Sequence, residues 1–161
     1  MIVQIDDWKF QIDMERTMEY SAAEAADHCD CAYCRNFYAA VDDAFPELRL
    51  FLALFGVDLE APEEMLPVFF DDGSICYDPS YRVYGKILQP GMYEMAAGYC
   101  NLVAQSSDEN DYFLLHCYEV FLHWHLEEPL EDVISPANQP SLLARSIEKL
   151  LGNTSKGKIP S

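Results

Sequence analysis

Hydrophobic and polar side chains alternate along the first residues of the chain. Val3 and Ile5 alternate with polar residues, and Phe10 and Ile12 resume the alternation after a pair of aspartates. A period of two is typical of a β-strand with one buried face, and adjacent acids favour a turn. The pattern therefore predicts a β-hairpin over residues 2–14.

The pattern then changes to a helical period, with apolar residues three and four positions apart. Ser21 and Glu24 match a capping box, in which a hydroxyl and a carboxylate satisfy the first free amides of a helix. Asp30 can cap a second helix, and Pro46 suits the first turn of a third. The predicted helices span about 21–29, 31–45 and 46–55.

The middle of the chain has the pattern of strands. Residues 68–70 and 75–77 are apolar and flank an Asp-Gly turn at Asp72 and Gly73, which indicates a second hairpin. A further strand is predicted over 81–88. Together with the first hairpin, these runs indicate an antiparallel sheet.

Two longer alternating runs, 92–105 and 112–126, flank a short acidic link. A symmetric hairpin between them places Tyr99 opposite Tyr118 on one apolar face. A slip of one residue would scramble that face, so the alternation favours this register.

The C-terminal region predicts one more helix. Pro140 opens it, an apolar stripe that includes Leu143 and Ile147 runs along it, and Gly152 ends it. We therefore predict an α+β fold: an antiparallel, largely meandering β-sheet with an N-terminal helical segment packed on one face and a C-terminal helix. Residues 1–152 are expected to form a single domain, followed by a flexible tail over 153–161.

Charge narrows the classes of partner. The chain has 28 acidic and 10 basic residues, a formal net charge of -18. Such a surface repels nucleic-acid phosphates and anionic membrane surfaces, which bind through lysine and arginine. The charge favours a basic protein as partner. The first residues lack the pattern of a signal peptide and no apolar run is long enough to span a bilayer, so a cytoplasmic location is expected.

Four residues that can bind a metal lie close together in the sequence: His28, Cys29, Cys31 and Cys34. Zinc prefers thiolate and imidazole ligands, but a zinc finger or ribbon needs a second closely spaced pair, which the sequence lacks. Three interpretations stay open. The thiols can be small hydrophobic groups on the buried stripe of a helix, a site completed in space by distant residues, or a Cys-x-x-Cys redox pair at a helix start.

A second candidate lies on the other face of the long hairpin. The predicted register sets Glu94 opposite His123, with His125 on the same face, and Cys100 opposite Cys117. A carboxylate beside imidazoles could serve acid–base chemistry or a metal shell. The alternative is a half-solvated sheet face with a cross-strand charge pair.

No nucleotide-binding loop, serine-hydrolase elbow or EF-hand loop is present in the sequence. We therefore expect a non-enzymatic binding protein with an acidic surface, comparable to an immunity or inhibitor protein, and no cofactor. The alternative is a zinc-binding protein or metal-dependent enzyme that uses the cluster at residues 28–34.

The segment from Cys31 to Tyr38 reads Cys-Ala-Tyr-Cys-Arg-Asn-Phe-Tyr, and Tyr84-Gly85-Lys86 follows later. These residues resemble a family of small acidic bacterial proteins for which no activity is established. The resemblance covers about residues 28–90. It implies a bacterial cytoplasmic context and assigns no functional residues.

Overall fold

The chain begins with the predicted hairpin. In the computed structural model, which describes residues 1–107 and 109–130, β1 (Ile2–Ile5) and β2 (Trp8–Ile12) pair antiparallel. Asp6 closes the turn with a φ of 51°, a left-handed conformation that aspartate tolerates better than most residues. The predicted hairpin is therefore confirmed, although its second strand ends at Ile12.

The first helix, α1 (Met14–Ala26), begins earlier than predicted. Asp13 is its N-cap, and the Asp13 side chain accepts a hydrogen bond from the backbone N–H of Arg16 at 3.2 Å. Ser21, the predicted cap, is buried within the helix, where its hydroxyl accepts a hydrogen bond from the backbone N–H of Asp58 at 2.7 Å. The capping-box prediction is wrong because the same hydroxyl serves a distant backbone segment instead.

The other two helices, α2 (Ala32–Ala44) and α3 (Leu48–Ala53), lie within the predicted ranges, but they begin differently. Cys31, not the predicted Asp30, is the N-cap of the second helix and makes no side-chain cap hydrogen bond. Pro46 precedes Glu47, the N-cap of the third helix, and so lies outside its first turn.

Gly56 follows α3 with a φ of 78°, the left-handed conformation that glycine adopts readily after a helix. The residues of α2 that face the interior are Tyr33, Cys34, Asn36, Phe37, Ala40 and Val41.

The described strands form two antiparallel sheets. A six-stranded sheet has the order β1-β2-β5-β8-β7-β6, and a three-stranded sheet has the order β3-β4-β9. With the helices, this is the predicted α+β class. The remaining strands are β3 (Pro67–Phe69), β4 (Ser74–Tyr77), β5 (Ser80–Gln89), β6 (Met95–Ala97), β7 (Cys100–Ser106), β8 (Tyr112–Tyr118) and β9 (Val120–His123).

Each of the two long predicted strands is divided in the structure. The first folds back at Gly98, whose φ of 61° starts a two-residue turn between β6 and β7. The second is broken at Glu119, whose φ is 57°, and β9 continues into the other sheet. Tyr118 pairs with Asn101 rather than with Tyr99, so the predicted register is wrong.

Both tyrosines that were predicted on the apolar face are exposed, Tyr99 by 90% and Tyr118 by 41%.

One cluster of buried side chains joins the helices to the two sheets. Phe10 of β2 packs against Phe55, with ring centroids 5.1 Å apart, and Phe37 of α2 packs against Tyr77 of β4 at 5.2 Å. This packing holds the start of α2 beside the smaller sheet.

The predicted helix over 140–152 and the tail over 153–161 lie outside the described residues, as does part of the expected 1–152 domain. Within the described residues, no helix has the length and apolar character needed to cross a bilayer.

Candidate metal centre

The candidate site lies where the chain passes from α1 to α2. Cys29 lies in the connection, Cys31 is the N-cap of α2, and Cys34 lies in the first turn of that helix. Residues three apart at a helix start lie on the same face, which brings Cys31 and Cys34 together. The Sγ atoms of Cys29, Cys31 and Cys34 all lie within 4.8 Å of one another.

The three thiols differ in exposure. Cys29 is exposed, Cys31 is half-buried and Cys34 is buried, with 4% of its surface accessible. The group therefore begins at the protein surface and ends in the hydrophobic core. An ion or a small molecule can reach it from the side on which Cys29 is exposed.

Hydrogen bonds converge on the sulfur of Cys31. The Cys34 thiol, the backbone N–H of Cys34, the Cys29 thiol and the backbone N–H of Tyr33 all donate to it, and together they outweigh burial and lower the pKa of Cys31 to about 5. The hydrogen bond to Cys31, burial and the charge of the Cys31 thiolate raise the pKa of Cys34. These contacts favour the thiolate form at Cys31 and the protonated form at Cys34.

This arrangement can hold a metal ion. Tetrahedral thiolate sites with metal–sulfur bonds of about 2.3 Å place the sulfurs about 3.8 Å apart. The sulfurs in this structure lie within 4.8 Å of one another, a limit about 1 Å above that separation. Sulfur ligands favour soft and borderline metals over magnesium or calcium.

His28, the fourth residue of the predicted cluster, is next to the thiols but outside the group of mutual close contacts. Its Nδ1 lies 3.2 Å from the carbonyl oxygen of Ala25, and its ring meets the ring of Tyr38 edge-on, with centroids 4.8 Å apart. A carbonyl only accepts, so Nδ1 carries the proton in this contact. In the neutral ring, Nε2 then has a free lone pair.

A cleft of about 310 Å³ opens beside the thiols. The hydroxyl of Tyr38 is buried without a hydrogen-bond partner in the described structure. No sequence signal pointed to Tyr38 or to this cleft, because its far wall comes from a segment some thirty residues further along the chain. The lining residues are Glu24, Asp27, His28, Cys29, Cys34, Tyr38, Pro62, Glu63, Glu64, Met65 and Leu66.

The second predicted site does not form as expected. His123 pairs with Ser74 in the three-stranded sheet, whereas Glu94 precedes β6 at the edge of the six-stranded sheet. The predicted pairing of Glu94 with His123 is therefore wrong, because the chain changes sheets at Glu119. His125 is exposed, and its backbone N–H donates to Asn36 at 2.6 Å.

The remaining cysteines are buried. Cys117 pairs with Leu102. The predicted register had set it opposite Cys100, and that prediction is wrong. The two thiols still make contact, and the hydrogen bond from Cys117 lowers the pKa of Cys100. Cys76 lies in β4, and burial raises its pKa to about 12. These thiols pack in the core, away from the group at Cys29, Cys31 and Cys34.

Comparisons with protein-family models, with curated proteins and with solved structures find no match to this chain. A function for the chain therefore has to be inferred from the chemistry of the site.

Proposed function

We propose that this chain is a zinc-binding protein in which Cys29, Cys31 and Cys34 supply three ligands and His28 supplies the fourth. The observation that carries the proposal is the mutual approach of the three sulfurs to within 4.8 Å. Three thiolates and one imidazole are a common ligand set of structural zinc sites. The metal would join the end of α1 to the start of α2.

The position of His28 supports its role as fourth ligand. Imidazoles that bind zinc usually donate their other ring N–H to a carbonyl or carboxylate, which fixes the tautomer. The contact of Nδ1 with the Ala25 carbonyl leaves Nε2 as the ligand atom. His28 follows Asp27, the C-cap of α1, and directly precedes Cys29, so it lies in the same short connection as the first of the three sulfurs.

The hydrogen bonds to Cys31 also support binding. Zinc binds the thiolate form, so a site that already stabilises one thiolate loses less free energy to deprotonation. The donors at the start of α2 keep that thiolate in place before the metal arrives. The remaining thiols release protons when the ion binds.

The test is a zinc titration of the metal-free protein against a chromophoric competitor. We expect about one equivalent of zinc per chain and a raised melting temperature, because an ion that binds only the folded state stabilises it. Replacing zinc by cobalt should give the intense absorption of thiolate ligation. Binding of less than about a tenth of an equivalent, with melting unchanged by a chelator, would contradict the proposal.

Single substitutions identify the ligands. C31S and C34S should each weaken zinc binding by at least about tenfold, and H28A by about 10–100-fold if its nitrogen completes the site. The matched control is C76S, since Cys76 is a buried cysteine outside the group. Equal weakening by C76S would show that the loss reflects general destabilisation.

A second proposal concerns the acidic surface. Each arginine in the described residues lies in an ion pair with a carboxylate, as in Arg35 with Glu128 at 2.6 Å and Arg49 with Asp42 at 3.0 Å. The acidic residues outnumber the basic ones by 18 over the full sequence, so their field favours a basic protein.

Capture experiments with the immobilised protein at low ionic strength test this second proposal. We expect the recovered proteins to be basic and to dissociate as salt rises, because salt screens charges that lie more than about 10 Å apart. Recovery of no basic protein at low salt would count against it.

A further inference from the structure

The three sulfurs have a second chemistry that needs no metal. Cys31 and Cys34 have two residues between them, and their sulfurs lie within 4.8 Å. A disulfide has a sulfur–sulfur bond of about 2.05 Å and tolerates a limited range of backbone separations. A Cys-x-x-Cys pair at the start of a helix meets this requirement, because the two side chains share one face of the first turn.

We propose that Cys31 and Cys34 of the metal-free protein form a thiol–disulfide exchange pair whose substrates are small cationic organic disulfides. This activity goes beyond zinc binding and does not depend on it. The pair would be reactive whenever the site holds no ion.

Exposure assigns the two roles. Cys31 is half-buried at the surface end of the group, so a disulfide from solution can reach its sulfur. Cys34 is 4% exposed, so a second molecule cannot reach it as easily as the sulfur of Cys31 can. The other thiol pair, Cys100 and Cys117, is 1% and 0% exposed and is closed to oxidants.

The exchange proceeds in two balanced steps. The Cys31 thiolate attacks one sulfur of the organic disulfide, forms a mixed disulfide and releases one organic thiolate. The Cys34 thiol loses its proton to that thiolate or to water, and its sulfur attacks the Cys31 sulfur and displaces the second organic thiolate. Two protein thiols are oxidised to one disulfide, and one organic disulfide is reduced to two thiols.

Charge selects the substrate. Glu24, Asp27 and Glu64 line the cleft beside Cys29 and Cys34, as does Glu63, which forms an ion pair with Arg82. Arg35, the cation that follows Cys34 in the chain, is held by Glu128 at 2.6 Å and lies 3.8 Å from Asp30. A cationic disulfide is therefore attracted to the thiols and an anionic one is repelled.

The experiment uses the full chain in the presence of a chelator. Cystamine, bis(2-hydroxyethyl) disulfide and glutathione disulfide serve as cationic, neutral and anionic probes at equal concentration. Intact-mass spectrometry follows the loss of two hydrogens, and peptide mapping locates the bond. We expect a Cys31–Cys34 disulfide that forms about tenfold faster with cystamine than with glutathione disulfide at low salt, and a smaller ratio at high salt.

Variants separate the steps. Because Cys29 lies within reach of both other sulfurs, these variants are made in the C29S background. There, C34S should accumulate a mixed disulfide on Cys31, C31S should form no intramolecular disulfide with Cys34, and C76S should behave as C29S itself. C29S removes the exposed third thiol and should retain the Cys31–Cys34 bond. The double variant E24Q/D27N should reduce the preference for cystamine.

Two results would overturn the proposal: no bond between Cys31 and Cys34 in folded C29S, or equal rates for the cationic and anionic probes at low salt. Because every reaction contains a chelator, a chain that fails to bind zinc can still form the disulfide. A chain that binds zinc can likewise fail to form it, so the two proposals are tested separately.

Discussion

At the scale of single residues, Asn36 connects the start of α2 to the smaller sheet. Its side chain is fully buried, donates to the carbonyl of His123 at 3.2 Å and to the Tyr77 hydroxyl at 3.3 Å, and accepts from the backbone N–H of His125 at 2.6 Å. A buried amide of this kind matters for stability mainly because removing it leaves its hydrogen-bond partners unsatisfied, and an unsatisfied polar group away from water costs free energy. Asn36 therefore holds the strand end that follows β9 against α2.

We expect N36A to lower the free energy of unfolding by about 2 kcal/mol, since it leaves the part-buried N–H of His125 and carbonyl of His123 without this partner. Urea denaturation followed by circular dichroism measures this. The matched control is N101A, which removes an exposed asparagine from β7 and should change stability by less than about 0.5 kcal/mol. Equal midpoints for the two variants would show that the Asn36 hydrogen bonds contribute little.

At the scale of elements, β2 and β5 approach each other closely at one glycine. Gly85 pairs with Ile12 and has a φ of 145°, a backbone conformation that residues other than glycine rarely adopt. A Cβ at this position would lie 2.0 Å from the carbonyl oxygen of Gln11. The pairing of the first hairpin with the centre of the sheet therefore depends on the absence of a side chain here.

Accordingly, G85A should lower the free energy of unfolding by about 3 kcal/mol or more, because backbone strain and overpacking add. G73A is the control, because Gly73 also has a positive φ, 84°, but nothing lies within 4 Å of its would-be Cβ. That variant should cost about 1 kcal/mol. A thermal or urea unfolding series compares them, and a smaller loss for G85A than for G73A would refute the steric argument.

At the scale of the whole molecule, buried tyrosines link stability to alkaline pH. Burial raises the pKa of Tyr77, whose hydroxyl donates to the carbonyl of Tyr33, and that of Tyr81, whose hydroxyl donates to the carbonyl of Leu59. The folded-state pKa of each tyrosine lies above the unfolded value of about 10. The contribution of the protonated tyrosines to folding stability is therefore complete below pH ~10 and is lost as pH rises further.

These tyrosines should therefore give the free energy of unfolding no pH dependence near neutral pH, and the free energy should fall steeply above pH ~10. Spectrophotometric titration of tyrosinate measures the ionisation, and circular dichroism measures unfolding in the same samples. We expect part of the ten tyrosines to ionise only as the chain unfolds, and all of them to ionise at lower pH in urea. Identical titration curves with and without urea would contradict this.

The local features of this protein are determined by its sequence. Alternation with a period of two identified the first hairpin, and Asp72-Gly73 identified the turn between β3 and β4, because each depends on residues close together in the chain. The spacing of Cys31 and Cys34 on the first turn of a helix likewise places their sulfurs together. The types and order of these elements determine the α+β class.

The partners of the strands and the shape of the site were decided only by the tertiary structure. Glu119, a single residue in the left-handed conformation, separates β8 from β9, which lies in the other sheet. The turn at Gly98 reverses the direction of the chain between β6 and β7. Either change alters which residues face the core. The alternation of apolar and polar residues along the sequence gives little sign of either change. The cleft beside Cys34 needs the segment over 62–66, which only long-range packing brings to α1 and α2.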